Sequence, residues 1–397
     1  MIKGWEHKTL ESVCIKITDG SHFSPKTTSQ GYPYITVRDL QDDLIDFKSC
    51  KHITEDDFFT LVKNGCNPLK GDVLFSKDGT VGKVSLVNFE KEFVVLSSLA
   101  IIRPNKIELD SAYLKYVMTA PFFLKEAIGK KTGVAIRRIV LRNLKSILIP
   151  IPPLSEQKCI VAILDEVLAG ISQAVANAEK NLANACELFE SYLNNVFTQK
   201  GDGWEEKPLG EVCNLIGGGT PSKKNKEFYK GDIYWATVRD MQGDVISKTE
   251  FKITKDAVKN SSTNIIKSRN VVIATRVGLG KVCLINQDTA INQDLRGIVP
   301  INSEELSVQF LFWWLKSTAH LIEEEGTGAT VKGVKLPFVK SLQIPIPTFH
   351  VQIQVIEQLD KLREDTLYLE TIYQQKLTAL NELKQSILQK AFTGELT

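Results

Sequence analysis

The chain has little of what covalent chemistry needs. Its five histidines, His7, His22, His52, His320 and His350, form no metal-ligand spacing. Its seven cysteines include no Cys-x-x-Cys pair, so neither a disulfide framework nor a zinc site is indicated. Cys14 and Cys213 sit in equivalent apolar settings and read as small core residues. There is no Gly-x-x-x-x-Gly-Lys-Ser/Thr phosphate loop, and Gly217-Gly-Gly-Thr-Pro-Ser-Lys223-Lys224 has the wrong spacing to replace one. No Gly-rich turn joins strand to helix in a parallel-sheet pattern, which argues against S-adenosylmethionine or a dinucleotide. The Asn/Asp-Pro-Pro-aromatic motif with which adenine methyltransferases hold a base is also missing. Glu205-Glu-Lys207 has nuclease-like spacing but no preceding Pro-Asp, and reads as surface charge at a strand start. The N-terminus lacks an apolar signal core, so a cytoplasmic protein without a membrane partner is expected. Net charge is only +2, which by itself selects no class of partner.

What is present occurs twice. Trp5-Glu-His-Lys-Thr-Leu10-Glu-Ser-Val13-Cys14 matches Trp204-Glu-Glu-Lys-Pro-Leu209-Gly-Glu-Val212-Cys213. Tyr34-Ile-Thr36-Val-Arg38-Asp39 matches Trp235-Ala-Thr237-Val-Arg239-Asp240, and Gly82-Lys83-Val84 matches Gly280-Lys281-Val282. Pro150-Ile-Pro152-Pro-Leu-Ser-Glu-Gln157 returns 195 residues later as Pro345-Ile-Pro347-Thr-Phe-His-Val-Gln352. The order is kept at a shift near 200, far above the period of a solenoid. The chain therefore reads as a duplication in four segments: globule 1–150, helical spacer 151–200, globule 201–347, helical spacer 348–397. Residues 1–150 carry 22 Lys/Arg against 17 Asp/Glu and residues 201–350 carry 19 against 17, while both helical segments are acidic. A basic globule suits a polyanion.

Each helical segment has one apolar stripe. In the first it runs through Ile160, Leu164, Val167, Ile171, Ala174, Ala178, Ala185, Leu188 and Tyr192, with Leu182 one place off register. In the second it runs through Leu359, Leu362, Thr366, Leu369, Tyr373, Lys376, Leu380, Leu383 and Ile387. This is the 4-3 spacing of a coiled coil, and two such stripes can bury each other. Ser155 is placed to cap the first helix. The first helix reads as too polar to span a membrane. The globules show short strands between turns, such as 71–76 and 82–87, their counterparts 270–275 and 281–285, and an apolar run at 94–102. The expected fold is mixed α/β (α+β). Two similar strand-rich domains are separated by two long helices forming an antiparallel coiled coil, with an internal pseudo-twofold repeat.

With no catalytic motif to place, the chemistry falls to loops. Asp19-Gly-Ser21-His22-Phe-Ser24-Pro-Lys26 and Gly217-Gly-Gly-Thr220-Pro-Ser222-Lys223-Lys224 occupy the same place in the two halves. Glycine allows close backbone approach, hydroxyls and lysines reach phosphates, and His or Phe can touch a base. A second pair of loops offers Lys131, Arg137 and Arg138, and Thr330, Lys332 and Lys335. Lys77 and Arg276, in the turns of the strand pairs, complete the candidate DNA-binding set. Arg38-Asp39 and Arg239-Asp240 suit an internal ion pair as well as a base contact.

Several of these patterns resemble the specificity subunit of type I restriction–modification systems. They are Asp19-Gly-Ser-His-x-x-Pro25, Thr220-Pro-Ser222, Gly71-Asp-Val-Leu74 followed by Gly79, Pro150 to Gln157, and the ending Gln389-Lys-Ala-Phe-Thr-Gly-Glu-Leu396. The second copy departs from the pattern at Thr348-Phe-His-Val, but Gln352 and the apolar spacing survive. The resemblance implies two target recognition domains, each reading half of an interrupted double-stranded DNA sequence. It implies spacers that dock two modification (methyltransferase) subunits, with restriction/translocase subunits added to that complex. S-adenosylmethionine, ATP and Mg²⁺ would be used by those partners, and this chain would be non-catalytic, binding no cofactor or metal. A stand-alone DNA-binding regulator or architectural protein with two reading domains is the alternative.

Overall fold

A computed structural model of the chain describes residues 4–41, 44–129, 138–328 and 333–396. Contacts divide it into two units, Met1–Glu179 with Gln375–Thr397, and Lys180–Gln374. The division falls inside both long helices, whereas the sequence segments keep each helix whole. The physical reason is that each globule buries part of both helices in its own core.

In the first unit, strands Cys14–Asp19, Leu99–Pro104, Val73–Ser76 and Val84–Leu86 form a four-stranded antiparallel sheet in that order. A second sheet orders Lys51–Ile53, Tyr32–Ile35 and Val94–Val95, the last pair parallel. Strand alternation explains how one sheet serves two cores. Val73 and Phe75 point into the core shared with the long helices, while Leu74 points into a second cluster with Ile35, Val95 and Ile101. The apolar run 94–102 is two strands rather than one. A turn closed by Leu99 N–H to Leu96 O, 2.9 Å, moves the chain from one sheet to the other.

The second unit repeats this plan. Cys213–Gly217, Leu295–Pro300, Val271–Ala274, Val282–Ile285 and Val245–Ile246 make one sheet. Phe251–Ile253, Ile233–Ala236, Thr289–Ile291 and Asn264–Ile266 make the other. Val271 and Ile273 face the helix core, and Val272 and Ala274 face the second cluster.

The long helices are Leu154–Thr198 and Phe349–Ala391. Ser155 lies inside the first helix, which is preceded by Pro153, whose carbonyl accepts from the N–H groups of Glu156 and Gln157. The repeated glutamine anchors each helix. Gln157 is fully buried, donates to Glu108 O at 2.7 Å and Pro152 O at 2.8 Å, and accepts from Asp110 N–H at 2.8 Å. Gln352 makes the same three bonds to Glu305 O, Pro347 O and Ser307 N–H.

In the first unit, Ile160 and Leu164 of one helix share a core with Leu388 and Ala391 of the other. In the second unit the helices run antiparallel. Tyr192 Oη donates to Gln358 Oε1 at 3.0 Å, and Phe189 lies under Arg363. The seam departs from the 4-3 reading in the same region. Leu188 is 52% exposed, and Phe189, Leu193 and Phe197 are buried at four-residue spacing. Here the stripe packs on the second globule, and a straight 3.6-residue helix drifts off a 3.5 repeat. On the other helix, Leu369 and Leu383 are likewise exposed. The reading of the first helix as too polar for a membrane is corrected. Leu154–Thr198 holds a stretch of mean hydropathy 1.8, long and apolar enough to span, of which 17% is buried. Alanine and valine occupy outward positions as well as the seam, as at Ala162, Ala169 and Ala176.

Candidate nucleic-acid interface

In each half a short helical turn follows a strand, Tyr32–Ile35 in the first unit and Ile233–Ala236 in the second. In the first unit, Thr36 N–H and Thr36 Oγ1 both donate to Asp39 Oδ2, at 2.7 and 2.8 Å, closing a capping box. Thr237 and Asp240 do the same at 2.7 and 3.0 Å. The aspartates are therefore spent on backbone, not on the neighbouring arginines, and Arg38 and Arg239 are exposed. Lys83 Nζ donates to Val37 O and Leu40 O, and Lys281 Nζ to Met241 O, so the repeated lysine holds the turn from beneath.

The loop glycines serve packing within the protein. A Cβ on Gly20 would lie 2.3 Å from Val95 O, and one on Gly218 would lie 2.1 Å from Asn292 O. Gly20 N–H donates to Leu99 O at 3.0 Å, and Gly219 N–H to Ile291 O at 3.0 Å. Each loop is thus pinned to a neighbouring strand, and its side chains extend from that anchor.

Those side chains divide into two groups. His22, Ser24 and Lys26 of the first loop are exposed, with Phe23 beside them, as are Ser222, Lys223 and Lys224 of the second. Ser21 instead turns inward and donates to Phe23 O at 2.6 Å. Thr220 donates to Gln293 Oε1. Lys77 is 5% exposed. Its ammonium lies 3.2 Å from Asp19 Oδ1 and 3.8 Å from Asp78 Oδ2. It therefore neutralises carboxylates inside the first unit, where the sequence reading had it free for DNA. Asp19 Oδ2 also lies 3.2 Å from His22 Nε2. Arg138 is exposed and pairs through its backbone with Asp78. Arg276 is half-exposed, 3.8 Å from Asp294, and Lys335 is exposed at the start of helix Leu336–Ser341. Lys131, Arg137, Thr330 and Lys332 lie outside the described residues.

Backbone bonds align the two units at this locus. Lys77 N–H donates to Ser98 O and Ile139 N–H to Lys77 O; Thr275 N–H donates to Asp294 O and Val334 N–H to Thr275 O. Lys77 thus corresponds to Thr275, Asp78 to Arg276, and Ser98 to Asp294. The same scaffold carries a buried lysine and an aspartate in one unit, and an outward arginine in the other. In the second unit this locus borders a cleft of about 640 Å³, lined by Lys223, Lys226, Arg239, Phe251, Gln293 and Asp294 among others. Sequence reasoning left Arg239 ambiguous and missed Lys226, Phe251 and Gln293. Arg239 was signalled by its place in a repeated motif; the other three carry no repeat signal.

A model of the type I restriction modification DNA specificity domain matches residues 2–181 and again 201–379. The chain belongs to that family. Two copies of the specificity domain thus account for the duplication. The type I restriction enzyme EcoR124I/EcoR124II specificity subunit of Escherichia coli is 33% identical over 235 residues, 56% of this chain and 56% of that protein. The putative type I restriction enzyme MjaX specificity subunit of Methanocaldococcus jannaschii is 26% identical over 99% of this chain and 93% of its own length. In structure, the specificity-family fold extends over the whole chain. A chain from work on complex assembly and conformational transition of the type I R-M system matches with a TM-score of 0.79 at 18% identity, covering 99% of this chain and 98% of its own. The HsdS subunit from Thermoanaerobacter tengcongensis matches at 0.60 and 18%, covering 100% and 98%.

Proposed function

We propose that this chain is the DNA-recognition subunit of a type I restriction–modification complex, with each unit reading one half of a two-part target. The observation that carries this is the duplicated specificity domain with unlike side chains at matched places, such as Lys77 and Asp78 against Thr275 and Arg276. One scaffold used twice supplies two readers, and different side chains supply two different half-sites. Tethering makes the second contact intramolecular. The exposed donors His22, Ser24, Lys26, Ser222, Lys223 and Lys224 contact DNA in this reading, together with the second loops.

The long helices dock the modification subunits. Leu188, Leu367, Tyr368 and Ile372 leave apolar surface exposed, and the apolar stretch of the first helix is mostly uncovered. Surface of that kind fits a protein partner. The chain itself is non-catalytic and cytoplasmic, and S-adenosylmethionine, ATP and Mg²⁺ act on partner subunits.

Mapping methylated adenines in cells that carry this subunit with its cognate modification subunit tests the proposal. A two-part sequence with a fixed gap is expected. Methylation at an uninterrupted site, or methylation by the purified chain alone, would overturn it.

A further inference from the structure

We infer that the cleft of the second unit receives a single nucleotide turned out of the DNA stack. The inference rests on the second unit being a half-site reader, and adds how one base of that half-site is read. Tyr229 and Trp235 spend their polar atoms inward. Tyr229 Oη donates to Pro221 O at 2.7 Å, and Trp235 Nε1 donates to Gly219 O at 3.1 Å. Their rings and that of Phe251 lie 5.8 to 6.5 Å apart, and Phe251 is 42% exposed. Ring carbon, chiefly that of Phe251, therefore forms one wall of the cleft. Bases stacked in a duplex cover one another's faces and offer such a wall little beyond a thymine methyl. An unstacked base offers its face.

The rest of the lining suits the rest of a nucleotide. Lys223, Lys226 and Arg239 bring positive charge to the same cleft, where Arg239 pairs with Glu250, also in the lining, at 3.6 Å. These cations match the phosphates on either side of a turned-out base. Asn292 donates to Asp294 Oδ2 at 2.9 Å and accepts from Asp294 N–H at 3.1 Å, which fixes that carboxylate. Gln293 is oriented by Thr220 through its Oε1, and one of its amide N–H groups donates to Asp294 Oδ2 at 3.4 Å, which sets its second N–H beside Asp294 Oδ1. A donor and an acceptor side by side can read the edge of a base. About 640 Å³ is ample room for one nucleotide.

The test uses the full chain with its modification subunit and duplexes carrying the mapped target. 2-Aminopurine replaces each base of the half-site read by residues 201–347 in turn. At one position fluorescence should rise several-fold on binding. That rise should vanish in Phe251→Leu and return in Phe251→Tyr, with binding about tenfold weaker in the leucine variant. Phe251→Leu keeps an apolar side chain at an exposed site, and unchanged melting verifies the fold. If it does melt early, Gln293→Ala, also exposed, should reduce the same rise. An adenine rotated for methylation also fluoresces, but its signal would be indifferent to Phe251. If target binding is specific and every rise is indifferent to Phe251 and Gln293, the inference is wrong and the half-site reading stands. If the complex binds no specific sequence, both fall.

Discussion

Gln157 shows how one side chain can hold a helix to a globule. Gln157→Leu keeps the volume but strands Asp110 N–H and two carbonyls. Such orphaned groups cost about 1–3 kcal/mol each, so the first unit should lose more than about 2 kcal/mol in urea unfolding. A loss within error would mean the clamp contributes nothing. The lysines separate in the same way. Lys77→Ala leaves Asp19 without its buried partner and should destabilise the first unit by about 3 kcal/mol, with the salt dependence of DNA binding unchanged. Lys223→Ala and Lys224→Ala should leave stability within about 0.5 kcal/mol. Each should reduce the slope of log K against log salt by about 0.9. An unchanged slope would assign these two lysines to solvent.

Elements of the second unit are tied together by Asp244. Lys316 of helix Val308–Ser317 reaches it at 2.5 Å, and Arg363 of the C-terminal helix at 3.2 Å. Burial disfavours its charge, but Lys316 and Arg363 outweigh burial and hold the carboxyl below its ordinary 3.8. A depressed carboxyl contributes stability that is complete above its unfolded value and is lost as pH falls through the folded one. Acid unfolding of the second unit should therefore steepen below about pH 4, and Asp244→Asn should flatten that limb. Superimposable acid limbs would show that the network contributes no pH dependence. The helix seam offers a second comparison. Phe189 meets Trp313 at 5.3 Å and carries Arg363 over its ring at 5.1 Å. Phe189→Ala should cost about 3 kcal/mol, while Leu188→Ala, one residue away and exposed, should be nearly neutral in thermal melts.

For the whole molecule, the decisive property is that the domain occurs twice with different side chains. Replacing residues 1–150 with the equivalent segment of another family member should change one half of the methylated sequence and leave the other intact. Sequencing of methylated DNA reads the outcome directly. A change in both halves would show that the two units do not read independently.

The sequence alone determined the duplication, the two long helices and the absence of a catalytic motif. These were legible because both copies must satisfy the same local physics. Gln157 and Gln352 close the same buried bonds, Thr36 and Thr237 cap the same turns, and Lys83 and Lys281 hold them. The tertiary structure decided which charges face outward. Lys77 and Lys223 are both lysines in turns, and only the approach of Asp19, 58 residues away in the chain, turns the first inward. It also decided the seam, because Phe189 outcompetes Leu188 for a surface formed by the second globule. The cleft could not be read from sequence at all. Its lining runs from Thr220 to Asp294, and no local rule brings loop, strand and turn together before the two sheets have packed.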